Sequence, residues 1–361
     1  LRRNRKTKNQ KNQQQNQFQK ILRRKKFMAI NLLNIQPHKV SRDLSGFLVY
    51  IFGAGGTGKT TLASQMDRAL LLAAERGYNA IPGVMAQDIT SWSEMKQVVR
   101  ELKKPEVKET FKSICVDTID LMADYCEKYI CNREGVEKLG DIPWGGGFKM
   151  MKKEFEDTFR TIAQMDYALF FISHSKDKLF KREDGTEYNQ IVPSLSPSYN
   201  EIIRNMSDLQ GYAHQTRLDN GRPEVMLTLR SMDGSVECKS RFKYIEPEIP
   251  FNYEALSKAL NDAIEKEAEK NGHQFITNER AQVPVAPEYD FDELMGEFRK
   301  MIAQIQDATG DDFTKKWAPK ITAITDKYLG KGKKVNDCTA DQVEQLVLIV
   351  DDLKEAVGEG L

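Results

Sequence analysis

At 361 residues, with 40% apolar side chains and a formal net charge of +1, the chain can hold one large α/β domain and a smaller companion with ample core. No stretch approaches the roughly 20 apolar residues that span a bilayer and the N-terminal tail has no apolar block of signal-peptide type, so a cytoplasmic protein without a membrane partner is expected. Five scattered cysteines (Cys115, Cys126, Cys131, Cys238 and Cys338) do not resemble a disulfide framework, and the loose Cys126/Cys131 spacing reads as ordinary thiols rather than metal ligands.

Residues 1–27 carry eleven Lys or Arg and no acid, which leaves 43 basic against 53 acidic residues in the remainder, a net of −10. This Gln-, Asn- and Lys-rich tail is low-complexity and expected to be disordered. It reads either as a non-specific phosphate binder or as an extension without function, because Met28 opens MAINLLNIQPHKV like a natural start.

The apolar run Phe47 to Phe52 predicts a strand, and GAGGTGKT at Gly53 to Thr60 follows it directly, with the helix-forming TLASQMDRAL behind. Strand, G-x-x-x-x-G-K-[ST] and helix together read as a phosphate-binding P-loop. Gly53, Gly55, Gly56 and Gly58 let the backbone, with Ala54 and Thr57 between them, turn its N–H groups toward a phosphate, and the helix start favours the anion. Lys59 would reach the β- and γ-phosphates of ATP and the Thr60 hydroxyl would ligate Mg2+. Thr61 closes the nucleotide-binding stretch and is expected in the helix.

From Ser41 onward, strand and helix alternate, which predicts a largely parallel sheet covered on both faces. Leu70 to Glu75 (LLLAAE) fits either a continued helix or a second strand. A short extended piece is expected at Asn79 to Val84, then a helix from Ser91 to Lys103 with Ser91 or Ser93 as its cap. Ser113 to Asp117 (SICVD) is an apolar strand ending in a carboxylate, the pattern of a Walker B strand; Asp117 is the expected magnesium residue and Asp120 a weaker second. A helix at about Ile119 to Cys131 leads into a loop, Asn132 to Phe148, containing IPWGGGF, and then a helix from Lys149 to Gln164.

The strand Ala168 to Ser173 ends at His174, placed to sense a γ-phosphate or to be satisfied by a local carbonyl. Lys176 to Pro197 is basic, turns at Asp184-Gly185 and reads as a hairpin or mobile loop. Strands are expected at Leu209 to Tyr212, Glu224 to Arg230 and Ser240 to Ile245, the last with Arg241 and Lys243, before an acidic helix from Phe251 to Lys270. The domain expected over 28–270 is followed by a linker at 271–288 and a helical module at 289–361. Thr339 and Gln342 have capping-box spacing. Lysines interleaved with Trp317 and Tyr328 make that module either a single-strand-binding surface or a solvated helix face.

Taken together, HKVSRDLSGFLVYIFGAGGTGKTTLA, SWSEM, ICVDTID, WGGGFKMMKKEF, FFISHSK and SRFKYIEPEIPF resemble the phage-encoded RecA-like AAA ATPases that accompany single-strand annealing and recombination, over about residues 35–265. The resemblance implies a RecA-like P-loop core with a mostly parallel central sheet flanked by helices, plus the small C-terminal helical module. It places Glu75 where such proteins end a strand with the water-polarising glutamate, and His174 where a polar sensor precedes the second DNA-binding loop. Lys176 to Ser196 falls on that loop and Asn132 to Phe148 on the first. Arg241 and Lys243 fall where cations reach a neighbouring subunit's γ-phosphate. The short distance from Lys59 to Glu75 departs from the pattern, and the separate N-terminal oligomerisation domain of the long recombinases is not recognised, so filament formation does not follow and a ring or a transient oligomer is equally compatible.

Three functions fit these features. The first is a Mg-ATPase that self-associates and works on single-stranded DNA beside phage recombination or replication proteins. The second is an annealing module for which nucleotide is only a conformational ligand. The third is a P-loop small-molecule kinase with Lys176 to Arg182 as lid, for which no acceptor pocket is indicated.

Overall fold

In chain order the strands are β1 (Val40–Ser41), β2 (Val49–Gly53), β3 (Ala69–Ala73), β4 (Ala86–Asp88), β5 (Ser113–Asp117), β6 (Ala168–Ser173), β7 (Ser175–Lys181), β8 (Glu187–Pro193), β9 (Leu209–Arg217), β10 (Pro223–Thr228), β11 (Lys239–Ser240), β12 (Glu248–Pro250) and β13 (Ile276–Thr277). The computed structural model describes residues 35, 37–182, 184–217, 221–279 and 289–360. The basic tail of residues 1–27 and most of the expected linker lie outside them. Among the described residues the chain forms two compact units, one up to residue 279 and one from 289 onward.

The first unit is built on a nine-stranded sheet of order β12-β10-β9-β2-β6-β5-β3-β4, with β11 paired to the start of β9. From β9 to β4 every pair is parallel; β10, β11 and β12 add an antiparallel margin. The α/β class with a mostly parallel central sheet is therefore the one observed.

Strand side chains alternate between faces, so a parallel sheet buried on both sides feeds two cores. One core takes Tyr50, Leu72, Ile114, Val116, Leu169 and Phe171. It is covered by α2 (Trp92–Glu101), α4 (Ile119–Glu134), α5 (Gly146–Gln164) and α6 (Pro197–Met206). The other takes Val49, Ile51, Leu71, Ala73, Cys115, Phe170 and Ile172. It is covered by α1 (Lys59–Ser64) and α7 (Tyr253–Asn271). Between α2 and α4 lies the short α3 (Pro105–Thr110).

Several boundaries differ from expectation for local reasons. LLLA of LLLAAE lies in β3, with Ala74 and Glu75 just past its end, because α1 ends at Ser64 after six residues and a turn brings the chain back by Ala69. Asn79 to Val84 is a series of turns, and the extended piece is β4, three residues that pair with β3. Ser91, not Ser93, caps α2, its hydroxyl accepting from the Glu94 N–H. The glycines of WGGGF begin α5 rather than a loop: a Cβ on Gly147 would sit 2.3 Å from the Leu139 carbonyl oxygen, so this residue is small because the chain packs there. Ser240 to Ile245 is not a strand; β11 stops at Ser240 and β12 begins at Glu248. The start of the expected linker is held to the core, since β13 pairs in parallel with β1.

In the second unit α8 (Phe291–Thr309) is followed by a π-turn at Phe313–Trp317, α9 (Ala318–Leu329) and α10 (Val343–Gly360). The Thr339/Gln342 capping box forms. Trp317 is buried, and the Tyr328 hydroxyl and Lys327 both donate to Asp352. These groups tie α9 to α10, so the Trp317 ring is taken up inside the module while Lys315, Lys316 and Lys320 stay exposed.

On α5 the buried Met151, Phe155, Phe159 and Ile162 recur at helical spacing. The Phe155 ring stacks 6.0 Å from Trp92 and meets Phe159 edge-on at 5.0 Å. Phe155→Ala should lower unfolding free energy by about 3–5 kcal/mol, measured by urea titration of the parent and variant.

Candidate active site

The P-loop leaves β2 at the carboxyl edge of the parallel sheet and enters α1 at Lys59. Gly56 and Gly58 adopt φ of 78° and 88°, where a side chain is strained. Gly53 is small for a different reason: a Cβ there would lie 2.2 Å from the carbonyl oxygen of Ala213 on β9. Ala54, Gly55 and Gly56 are exposed at the loop's crest, and Thr57 is buried with its hydroxyl donating to the Ala54 carbonyl. Thr61 is exposed in the first turn of α1.

Lys59 is folded over the loop, its Nζ donating to the carbonyls of Gly53 at 2.9 Å and Ala54 at 2.7 Å. Burial holds its ammonium below the usual range, against the charges of Asp117, Glu75 and Asp120. The Thr60 hydroxyl donates to Asp117 Oδ2 at 2.6 Å. Asp117 ends β5 and is only 4% exposed. Burial pushes its carboxyl above the ordinary range; the Thr60 hydrogen bond opposes this, Glu75 adds to it, and Lys59 and His174 oppose it.

The expected catalytic pair is brought to the same edge. The N–H groups of Ala74 and Glu75 donate to the Asp117 carbonyl, which carries Glu75 just past β3 and up to the site. Glu75 Oε1 accepts from the Thr118 hydroxyl at 3.2 Å and lies 3.2 Å from His174 Nε2. The six-residue α1 removes the objection to Glu75: a short helix needs few residues to return to the next strand.

Arg241 and Lys243 are not brought to this edge. Arg241 forms an ion pair with Asp208 at 2.6 Å and donates to the Asn205 carbonyl. Asp208 directly precedes Leu209, which is level with Val49, whereas Gly53 is level with Ala213. Arg241 thus sits at the amino edge, four residues or about 13 Å along the strands from the P-loop. Lys243 Nζ lies over the Tyr244 ring. Asp120, the weaker second candidate, accepts from Ser173 and Ser194 on Oδ1, and its charge acts on Lys59.

Sequence reasoning missed three contributors. Gly77 passes so close that a Cβ on it would lie 3.4 Å from the Thr60 hydroxyl and 3.9 Å from Asp117 Oδ2. Thr118 orients Glu75, and Phe251 places its ring beside Gly58. The glycine two residues after Glu75 was the available signal for the first; nothing local marks Phe251, which reaches the loop from the far end of the chain.

The residues fit a magnesium nucleotide. A buried carboxylate whose pKa is raised, bonded to a hydroxyl and facing a buried lysine, is a group short of positive charge. Among the described residues there is no cluster of three or more His, Cys, Asp or Glu; Thr60 and Asp117 would hold a cation together with a substrate phosphate. Cys126 and Cys131 are buried free thiols.

Residues 46–242 match the profile of the AAA domain family. The chain is 30% identical over 339 residues to the SPbeta prophage-derived uncharacterized protein YorG of Bacillus subtilis strain 168, a match covering 92% of this chain and all of that one. Looser likenesses are to the KaiC-like protein PH0186 of Pyrococcus horikoshii OT3 (13% identity, TM-score 0.35, 60% of this chain and 95% of that one) and to the flagellar accessory protein FlaH of Methanocaldococcus jannaschii (11%, 0.32, 58% and 85%). Overlaps of that size carry no assignment.

An aspartate whose folded pKa exceeds its unfolded value destabilises the fold, fully above the folded pKa and not at all below the unfolded one. Without nucleotide, Asp117→Asn should therefore melt higher than the parent at pH 7. The gap should close as pH falls through the raised folded value toward the ordinary 3.8. Thermal melts from pH 7 to pH 4 check both.

Proposed function

Because the chain belongs to the AAA domain family, we propose that it hydrolyses ATP at Gly53–Thr60 and couples turnover to single-stranded DNA held by the hairpin β7–β8. The P-loop amides and Lys59 would hold the β- and γ-phosphates, and Thr60 and Asp117 would hold Mg2+. When bound, the ion supplies positive charge to the phosphoryl group as it transfers. Glu75 takes the proton of the attacking water; Thr118 and His174 hold its carboxylate in place. The observation that carries this reading is the 3.2 Å contact between Glu75 and His174, because His174 immediately precedes β7, the first strand of the hairpin.

The hairpin's chemistry supports a nucleic-acid strand as the partner. Phe180 and Tyr188 face each other across it with centroids 5.7 Å apart, Lys178 covers one ring at 4.6 Å and Arg182 the other at 4.7 Å. Cations beside aromatic faces suit phosphates and bases in alternation. On a body that is otherwise acidic, this is a local exception. The prophage origin of the YorG relative favours a phage setting, in recombination, replication or repair. Self-association would bring Arg241 or Lys243 to a neighbour's γ-phosphate, and Arg241 would have to leave Asp208 to act.

Steady-state ATP hydrolysis with and without oligothymidylate, beside Lys59→Ala, tests the reading. Stimulation that vanishes in the variant supports it, and turnover indifferent to DNA sinks the coupled mechanism. Glu75→Gln should keep ATP binding and lower kcat by about 10²–10⁴-fold; strand annealing left unchanged by that loss would favour an annealing module with incidental hydrolysis. Tyr188→Ala should weaken oligonucleotide binding by about 1–3 kcal/mol. Lys178→Gln with Arg182→Gln should flatten the slope of log affinity against log salt by about 0.7 per lost phosphate contact, read by fluorescence anisotropy.

A further inference from the structure

Between the nucleotide site and the hairpin lies a carboxylate that the hydrolytic mechanism does not use. Asp120 stands in the first turn of α4, three residues after Asp117, and its helix is capped by Thr118, the residue that holds Glu75. Its Oδ1 accepts from Ser173 at 3.0 Å and from Ser194 at 2.5 Å. Ser173 ends β6 immediately before the hairpin, and Ser194 follows β8 immediately after it. One oxygen thus ties both roots of the hairpin to the helix that begins at the Walker B aspartate.

The Ser194 N–H donates to the His174 carbonyl at 2.8 Å, and Lys176 Nζ donates to the Ser194 carbonyl at 2.8 Å. Ser194 thus closes the root of the hairpin, beside the β7–β8 ladder and the bonds of Ile191 to Ser235 and Glu237, and Asp120 holds it to α4. The other oxygen, Oδ2, is buried without a hydrogen-bond partner. Buried polar groups are nearly always paired, so an acceptor left spare beside two hydroxyl donors marks a carboxylate with room to exchange them.

We propose that Asp120 is a positioning residue that transmits the nucleotide state of the P-loop site to the hairpin through Ser173 and Ser194. The inference rests on the hairpin being the working surface of the ATPase, and it predicts a link whatever that surface binds. When the Asp117–Thr118 segment shifts on binding Mg-ATP, the first turn of α4 shifts with it and carries the two serines. Glu75–His174 forms a second, parallel link on the other strand of the root. Loss of the Asp120–Ser194 bond should weaken communication and leave the Glu75–His174 link in place.

The test is hydrogen exchange of the full chain across residues 175–193, with and without a non-hydrolysable ATP analogue and Mg2+, alongside ATPase assays with and without oligothymidylate. The variants are Asp120→Ala, Ser194→Ala and Asp120→Asn, the last retaining an acceptor oxygen. In the parent, nucleotide should change hairpin exchange at least tenfold. Asp120→Ala and Ser194→Ala should each reduce that response at least threefold, Ser194→Ala with basal kcat and KM for ATP within about twofold of the parent, and Asp120→Asn should restore most of it. If Asp120→Ala does not fold, Ser194→Ala, which removes one hydroxyl, carries the test. A parent hairpin indifferent to nucleotide, or an unaltered response in both variants, overturns the proposal. If nucleotide alters the hairpin in the parent but oligothymidylate leaves turnover unchanged, the DNA reading fails and the link stands.

Discussion

Asp117 is level with Ile172 on β6, and Ile172 is level with Ile51 on β2, so the parallel ladder delivers the Walker B carboxylate and the P-loop to one edge of the sheet. On the other side, Ala73 on β3 is level with Asp117, which leaves Glu75 just above it. The site exists because four strands run the same way and stop at nearly the same height. A register slip on any of them would turn its side chains to the opposite face, and the two cores prevent this: Tyr50 belongs to one and Val49 and Ile51 to the other.

That geometry places charge where water is scarce. Asp117 and Lys59 are both buried, and burial moves each pKa toward its neutral form. The Thr60 hydroxyl offsets part of the cost at Asp117, and carbonyls of the loop itself occupy Lys59. A divalent cation and a polyphosphate answer both deficits together. The same features that make the nucleotide-free site unfavourable make it selective for a ligand carrying both signs of charge.

Beyond the edge, the chain spends its polar side chains on connections. Glu75, Thr118 and His174 join β3, β5 and β6 above the sheet; Asp120, Ser173 and Ser194 join α4 to the hairpin beneath them. The hairpin then projects cations and aromatic rings from a body that is acidic outside its N-terminal tail. Lysine-and-aromatic composition alone is a poor guide to such a surface. In the second unit the same residue types around Trp317 and Tyr328 form internal contacts, and only the positions of the rings separate the two cases.

Residues close together in sequence were enough to read the P-loop, the strand ending at Asp117, the strand ending before His174 and the three helices of the second unit. Each rests on short-range rules: a glycine-rich turn between strand and helix, an apolar run closed by a polar residue, a hydrophobic stripe at helical spacing. LLLAAE stayed ambiguous because a six-residue apolar run suits helix and strand alike, and pairing with β5 and β4 decided it. Gly147 read as loop flexibility until its backbone was found against Leu139. Arg241 is paired with Asp208 at the edge opposite its own P-loop, a partner that no local pattern around Arg241 announced. The sequence by itself determined the P-loop and the candidate residues for phosphate and magnesium. Only the tertiary structure decided which of the remaining charged groups reach them, because strand order and register set those distances and neither is a local property of the chain.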